Sequence, residues 1–119
     1  MKQPGPDHPI TIAPHPGLVR VMLNGVAVAE TRNALSLKEA RYPPVLYVPR
    51  ADARLDHFAK SARSSHCPYK GDASYYDLAV EGVRRPGAVW SYEAPFPAVA
   101  EIAGHLAFYA DRVDAIETA

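Results

Sequence analysis

Period-two spacing of hydrophobic positions dominates the first half of the chain. Leu18-Val19-Arg20-Val21-Met22-Leu23 and Val26-Ala27-Val28-Ala29-Glu30 are β-prone runs on either side of Asn24-Gly25. Both turn residues tolerate the positive φ of a type I′ turn, so this spacing predicts a β-hairpin. Asn33-Ala34 reads as a second reversal, after which Leu35, Leu37 and Val45 to Val48 supply further strand around the break at Pro43-Pro44. Ahead of the hairpin, Met1 to Pro16 carries prolines at positions 4, 6, 9, 14 and 16. It reads as an extended arm, 1–16, with a short edge strand through Ile10, Thr11 and Ile12, leaving 17–119 as the single domain.

Between Arg50 and Ser65 the pattern changes. Leu55, Phe58 and Ala59 lie at helical spacing, which predicts one or two helical turns before a Ser-rich loop. Strand resumes around His66 to Tyr69 and in Ala73 to Val80, and Arg84-Arg85-Pro86-Gly87 is expected to reverse the chain into Ala88 to Tyr92. The last third fits two templates. Val99, Ile102, Ala103, Leu106, Tyr109, Val113 and Ile116 match a helix, with Pro97 at its first position and Gly104 at C′. His105 to Tyr109 equally alternates as a strand, with Ala110-Asp111-Arg112 turning into Val113 to Ile116. Periodicity does not choose between them.

Composition narrows the picture. Proline makes up 12 of 119 residues, about twice the usual share of roughly 5% and spread along the chain, which disfavours long helices. One Cys excludes an intramolecular disulfide. With 13 basic and 13 acidic side chains, the protein lacks the strongly basic surface that nucleic acid or an anionic membrane would meet, so neither is expected as a partner. No stretch approaches the roughly 20 apolar residues of a membrane span, and the first residues have no apolar signal-peptide core. The sequence reads as a soluble cytoplasmic protein.

The most distinctive stretch is Ser65-His66-Cys67-Pro68-Tyr69-Lys70-Gly71. With Tyr47-Val48-Pro49-Arg50 and Asp52 before it, and Tyr75-Tyr76, Trp90-Ser91-Tyr92 and Gly104-His105-Leu106-Ala107-Phe108-Tyr109 after it, the chain resembles the bacterial domain-of-unknown-function family 427 from about Val19 to Ile116. Some catalogues give that family a nucleotidyltransferase-like label. The resemblance implies a mainly β, single-domain antiparallel β-tent type fold, whose relatives include methionine-R-sulfoxide reductases, zinc-binding chaperone-like proteins and the ligand-binding domain of cereblon. It further implies that His105 to Ile116 forms a strand hairpin after a short helical turn. Many tent folds hold zinc with two Cys pairs, a site that a single Cys cannot make, so no metal or cofactor is expected.

Three sets of residues carry candidate chemistry. Cys67 lies beside His66 and near Lys70, but neighbours on a strand face opposite ways, which favours a packed thiol over an activated one. Arg50, Asp52 and Lys70 sit among Pro and aromatic residues; they are either an anion subsite or local ion pairs that order loops. Tyr47, Tyr69, Tyr75, Tyr76, Trp90 and Tyr92 are either core or the wall of a cleft that stacks a planar ligand. No P-loop, dinucleotide fingerprint or nucleophile elbow occurs. Asp52, Asp56, Asp72 and Asp77 are the only nearby carboxylates for a magnesium-dependent transferase. The expected function is binding of a small polar or planar ligand by Tyr47, Arg50, Asp52, Tyr69, Lys70, Tyr76, Trp90 and Tyr92. The alternatives are a small transferase or hydrolase, and a partner-binding module or homo-oligomer pairing through strand edges such as the tail Ala115 to Ala119.

Overall fold

A computed structural model describes all 119 residues and contains ten strands, β1 Ile10–Pro14, β2 Val19–Leu23, β3 Val26–Thr31, β4 Leu35–Glu39, β5 Val45–Tyr47, β6 Phe58–Cys67, β7 Gly71–Val80, β8 Val83–Ser91, β9 Ala107–Phe108 and β10 Ala115–Thr118. Helical structure is confined to short 3₁₀ turns at Arg50–Asp52, Leu55–His57, Pro97–Ile102 and Ala110–Arg112. The strands form three antiparallel sheets, ordered β1-β4-β5, β10-β2-β3 and β6-β7-β8-β9. This is the mainly β, single-domain architecture that the sequence predicts, with no closed barrel. No helix is long and apolar enough to cross a membrane.

One seam joins two of the sheets. Val48, just beyond β5, and Leu106, just before β9, exchange reciprocal backbone hydrogen bonds of 2.8 Å. The sheets meet there like the panels of a tent. Apolar side chains fill two clusters against the four-stranded sheet. Val21, Leu23 and Val28 of the β10-β2-β3 sheet pack with Leu78, Val80 and Val89. Leu37 and Tyr47 of the β1-β4-β5 sheet pack with Tyr75, Tyr92 and Ile102. Successive strand residues face opposite ways, so adjacent Tyr75 and Tyr76 enter different clusters.

The hairpin at Asn24-Gly25 is present, with φ of 49° and 77° at the two turn residues. A bulge leaves Val28 without an opposite residue on β2, which is why Val28 and Ala29 are both buried. Ile10–Pro14 is an edge strand paired only to β4, and it includes the short edge strand expected through Ile10, Thr11 and Ile12.

Four expectations are corrected. The Ser-rich segment is not a loop but β6, an edge strand with no fully buried residue. Pairing with β7 holds it, and no alternation of apolar residues marks it. His66 to Tyr69 is not a continuous strand, because β6 stops at Cys67 and Pro68 to Lys70 form the turn into β7. Arg84 to Gly87 does not reverse the chain. The reversal falls at Glu81-Gly82, and Pro86-Gly87 is a bulge inside β8, secured by the Gly87 N–H donating to Asp77 Oδ1 at 2.7 Å. The last third contains strands but no hairpin, since β9 pairs with β8 and β10 with β2. Pro97 does open the 3₁₀ segment and Gly104, at φ 70°, follows its end.

Gly17 and Gly25 both have positive φ, but only Gly17 faces an obstruction, because an added Cβ would lie 1.9 Å from the Ala119 backbone oxygen. Both Gly→Ala variants therefore carry conformational strain, and Gly17→Ala also pushes β10 off β2. Chemical denaturation should show Gly17→Ala to be less stable than Gly25→Ala by more than about 1 kcal/mol. Equal losses would mean that β10 contributes little.

Candidate ligand-binding site

Alternation along β4 puts Leu35, Leu37 and Glu39 on one face, so a carboxylate follows two apolar residues toward the interior. Opposite it, the β6–β7 turn delivers Lys70, which is 8% exposed. The Lys70 ammonium donates to Glu39 Oε1, and its Nζ stands 5.9 Å above the Tyr92 ring. Glu39 Oε2 also meets His8 Nε2 at 2.7 Å. His8 stacks on Tyr69 at 3.9 Å between ring centroids, and the Lys2 N–H donates to the Pro68 carbonyl at 2.7 Å. The arm is thus strapped across the turn that carries Lys70.

The pair lies in a cavity of about 220 Å³ lined by Leu37, Val45 and Pro43 together with Tyr42, Tyr47, Tyr75, Trp90, Tyr92 and Tyr109. The Trp90 indole N–H donates to the Tyr47 hydroxyl at 3.3 Å, and Trp90 lies 4.5 Å from the Tyr109 ring centroid. The Tyr75 hydroxyl meets Ser65 Oγ at 2.8 Å. A second hollow of about 400 Å³ shares Val45, Trp90 and Tyr109 with the first but is otherwise lined by residues such as Val19, Val21, Leu46, Val48 and Ile116. It is the larger of the two. The smaller one is the candidate site because the Lys70–Glu39 pair and five of the seven tyrosines line it.

Burial disfavours ionisation of three tyrosines in this cavity. It pushes the Tyr47 phenol up to about 12 and raises Tyr92 well above the ordinary tyrosine range, and it also raises Tyr109, aided by the hydrogen bond to Tyr75. These hydroxyls stay protonated donors. Burial also works against the Glu39 carboxylate, but the hydrogen bonds from Lys70 and His8 outweigh it and hold Glu39 below its usual range.

Of the residues predicted from sequence, the structure brings Tyr47, Lys70, Trp90 and Tyr92 into one cavity. The other four lie elsewhere. Arg50 is not ion-paired to Asp52. It donates to the Gly104 carbonyl at 3.1 Å, to the Tyr76 hydroxyl and Ser91 Oγ at 3.3 Å, and to Glu93 at 3.2 Å. Tyr76 also donates to Glu93, so Arg50 and Tyr76 form a separate network. Asp52 accepts from the Thr31 hydroxyl at 2.6 Å and pins the turn after β5 to β3. Tyr69 belongs to the strap with His8. Glu39 and Tyr109 were not predicted, although their parity with Leu37 and Ala107 was a readable signal.

The remaining candidate chemistry is dispersed. Asp72 bonds His66 at 2.7 Å, Asp77 holds the β8 bulge and Asp56 lies 3.8 Å from His57, so these carboxylates do not converge with Asp52. No three His, Cys, Asp or Glu side chains come together. Cys67 is half-buried and packs against the tyrosine cluster.

Fold and cavity together define a small, mainly β domain of antiparallel sheets with an aromatic cavity beside the Val48–Leu106 seam. Residues 11–119 match the family described as Domain of unknown function (DUF427), and the chain belongs to that family. The nucleotidyltransferase-like label is part of the family's name only. Comparison with curated proteins gave no match.

Two pH dependences follow. The folded pKa of Glu39 is depressed, so its contribution is complete above its ordinary value of 4.5 and is lost as pH falls below it. Melting temperature should drop in acid for the wild type and drop less steeply for Glu39→Gln. At neutral pH that variant should be less stable by about 3 kcal/mol, because Lys70 loses its counter-charge. The tyrosines have the opposite sign. Their folded pKa values are raised, so their contribution is present below the ordinary value of 10.0 and is lost as pH rises past it. Phenolate absorbance should show Tyr47 and Tyr92 ionising only as the protein unfolds in alkali; ionisation of all seven tyrosines near pH 10 with the fold intact would contradict the burial.

Proposed function

We propose that this domain binds a small planar ligand in the tyrosine cavity, with the ligand's polar edge against Lys70 and Glu39. The observation that carries this reading is the Lys70–Glu39 pair, whose side chains are 10% and 14% exposed, set into an aromatic wall. An ammonium has three donors and a carboxylate several lone pairs, so each keeps capacity beyond their mutual bond. The two charges cancel, which suits a carbonyl or amide edge better than a free anion. Tyr92, with no side-chain hydrogen-bond partner of its own, adds a donor beside them, and Trp90 and Tyr109 supply flat faces for stacking. A cavity of about 220 Å³ fits one ring system rather than an extended molecule.

Trp90 is the only tryptophan and lines the cavity, so its emission reports on occupancy. Benzamide, nicotinamide and uracil are suitable test ligands. Binding of at least one should quench or shift Trp90 emission. The paired change of Lys70→Met with Glu39→Gln should weaken it about tenfold to a hundredfold, since a hydrogen bond to a charged group is worth about 1.5–3 kcal/mol, and Tyr92→Phe, which removes a neutral donor worth about 0.5–1.5 kcal/mol, should weaken it about twofold to tenfold. Arg50→Gln should leave affinity unchanged, because Arg50 lies outside the cavity. No response of Trp90 to any of the three would defeat the proposal.

A further inference from the structure

Tyr109 lines a third hollow, of about 240 Å³, together with Arg63, Gly87, Asp111 and Arg112. We infer that Arg63 and Arg112 form an anion subsite adjoining the tyrosine cavity, which takes the carboxylate or phosphate group of the same ligand; this rests on the ligand-binding reading above.

Two bulges bring the arginines together. In β6 the register shifts between Lys60 and Ser64, where the Arg63 N–H donates to Ser61 Oγ at 3.0 Å, and the displaced Arg63 carries its guanidinium 4.3 Å over the Tyr75 ring. In β8 the bulge at Pro86-Gly87 leaves the Pro86 carbonyl free to accept from Arg112 Nη1 at 3.4 Å. Gly87, at φ 61°, lies beside the Arg63 guanidinium, where an added Cβ would stand in ordinary contact, 3.7 Å from its Nη1. Bulges that re-aim side chains are frequent beside binding sites. Both strands flank β7, whose Tyr75 also lines the tyrosine cavity.

The charges point the same way. Lys70 is neutralised by Glu39, whereas neither Arg63 nor Arg112 is ion-paired, and the hollow contains two guanidiniums against the single carboxylate of Asp111. Guanidinium forks match the oxygens of carboxylate and phosphate, and stacking on Tyr75 preorganises one of them. Tyr109 belongs to both hollows, so a ring stacked beside it is positioned to extend an anionic substituent toward the arginines.

Benzamide, benzoate and phenyl phosphate share one ring and differ in the group that the arginines would read. Calorimetric titration should show benzoate or phenyl phosphate binding more tightly than benzamide, with the advantage shrinking as salt is added. The tighter of the two identifies the oxyanion. Arg63→Gln and Arg112→Gln should each reduce anion affinity about tenfold, or about 1.4 kcal/mol, and leave benzamide binding unchanged. Arg63→Lys should lose part of that. Both arginines are exposed, so the melting temperature should barely move. If benzamide binds but the anions bind no better, or if the double Arg→Gln variant retains the anion preference, the subsite is wrong and the cavity reading survives. If none of the three binds to the wild type, the subsite falls, and the cavity reading falls with it only if nicotinamide and uracil also leave Trp90 emission unchanged.

Discussion

The seam between Val48 and Leu106 sets the geometry of everything around it. Its two backbone hydrogen bonds fix the register between sheets that otherwise share no ladder. Tyr47 precedes Val48 and Ala107 pairs with Trp90, so the seam itself brings the Tyr47 hydroxyl within reach of the Trp90 indole. On its other side, Arg50 and Ser91 grip the carbonyls of Gly104 and His105, and Gly104 donates to the Tyr92 carbonyl. A one-residue slip would turn Tyr47 away from the cavity and release Arg50. The residues on either side of the ridge are thus held by main-chain pairing, which does not depend on the side chains that line the cavity.

Charge is distributed according to burial. Inside, the one buried lysine meets a carboxylate, and each covers the desolvation cost of the other. Nearer the surface, the exposed Glu93 meets Arg50 and Lys60 in ion pairs of small energetic weight and also accepts from the largely buried Tyr76. The arm adds His8 to the inner pair, and residues 1–10 lie outside the stretch that matches the family. The Lys70–Glu39 pair therefore belongs wholly to the matched domain, and the strap is an addition laid over it.

Elements with their own chemical signature were legible in the sequence. Asn24-Gly25 specified its turn, and Tyr47, Lys70, Trp90 and Tyr92 drew attention by type and company. What escaped depended on partners far along the chain. β6 shows no apolar alternation because β7, rather than its own burial, makes it a strand. Pro86-Gly87 resembles a turn, and only Asp77, ten positions back, makes it a bulge. Arg50 and Asp52 look paired in sequence, yet a single 3₁₀ turn sends one to Glu93 and the other to Thr31. Glu39 looks in sequence like an ordinary surface charge at a strand end, and only its parity with Leu35 and Leu37 points it inward.

The order of pairing also bears on how the domain is made. β10 forms the outer strand beside β2, and the Asn24 N–H at the tip of the first hairpin donates to Asp114, ninety positions away. A growing chain synthesised from its amino end makes β2 and β3 early, but β2 keeps one unpaired edge until β10 has emerged. Native closure is accordingly a late and non-local event, with a large loop to bring together. Until then the unpaired edge of β2 is open to mispairing, and pairing with β10 is what closes it.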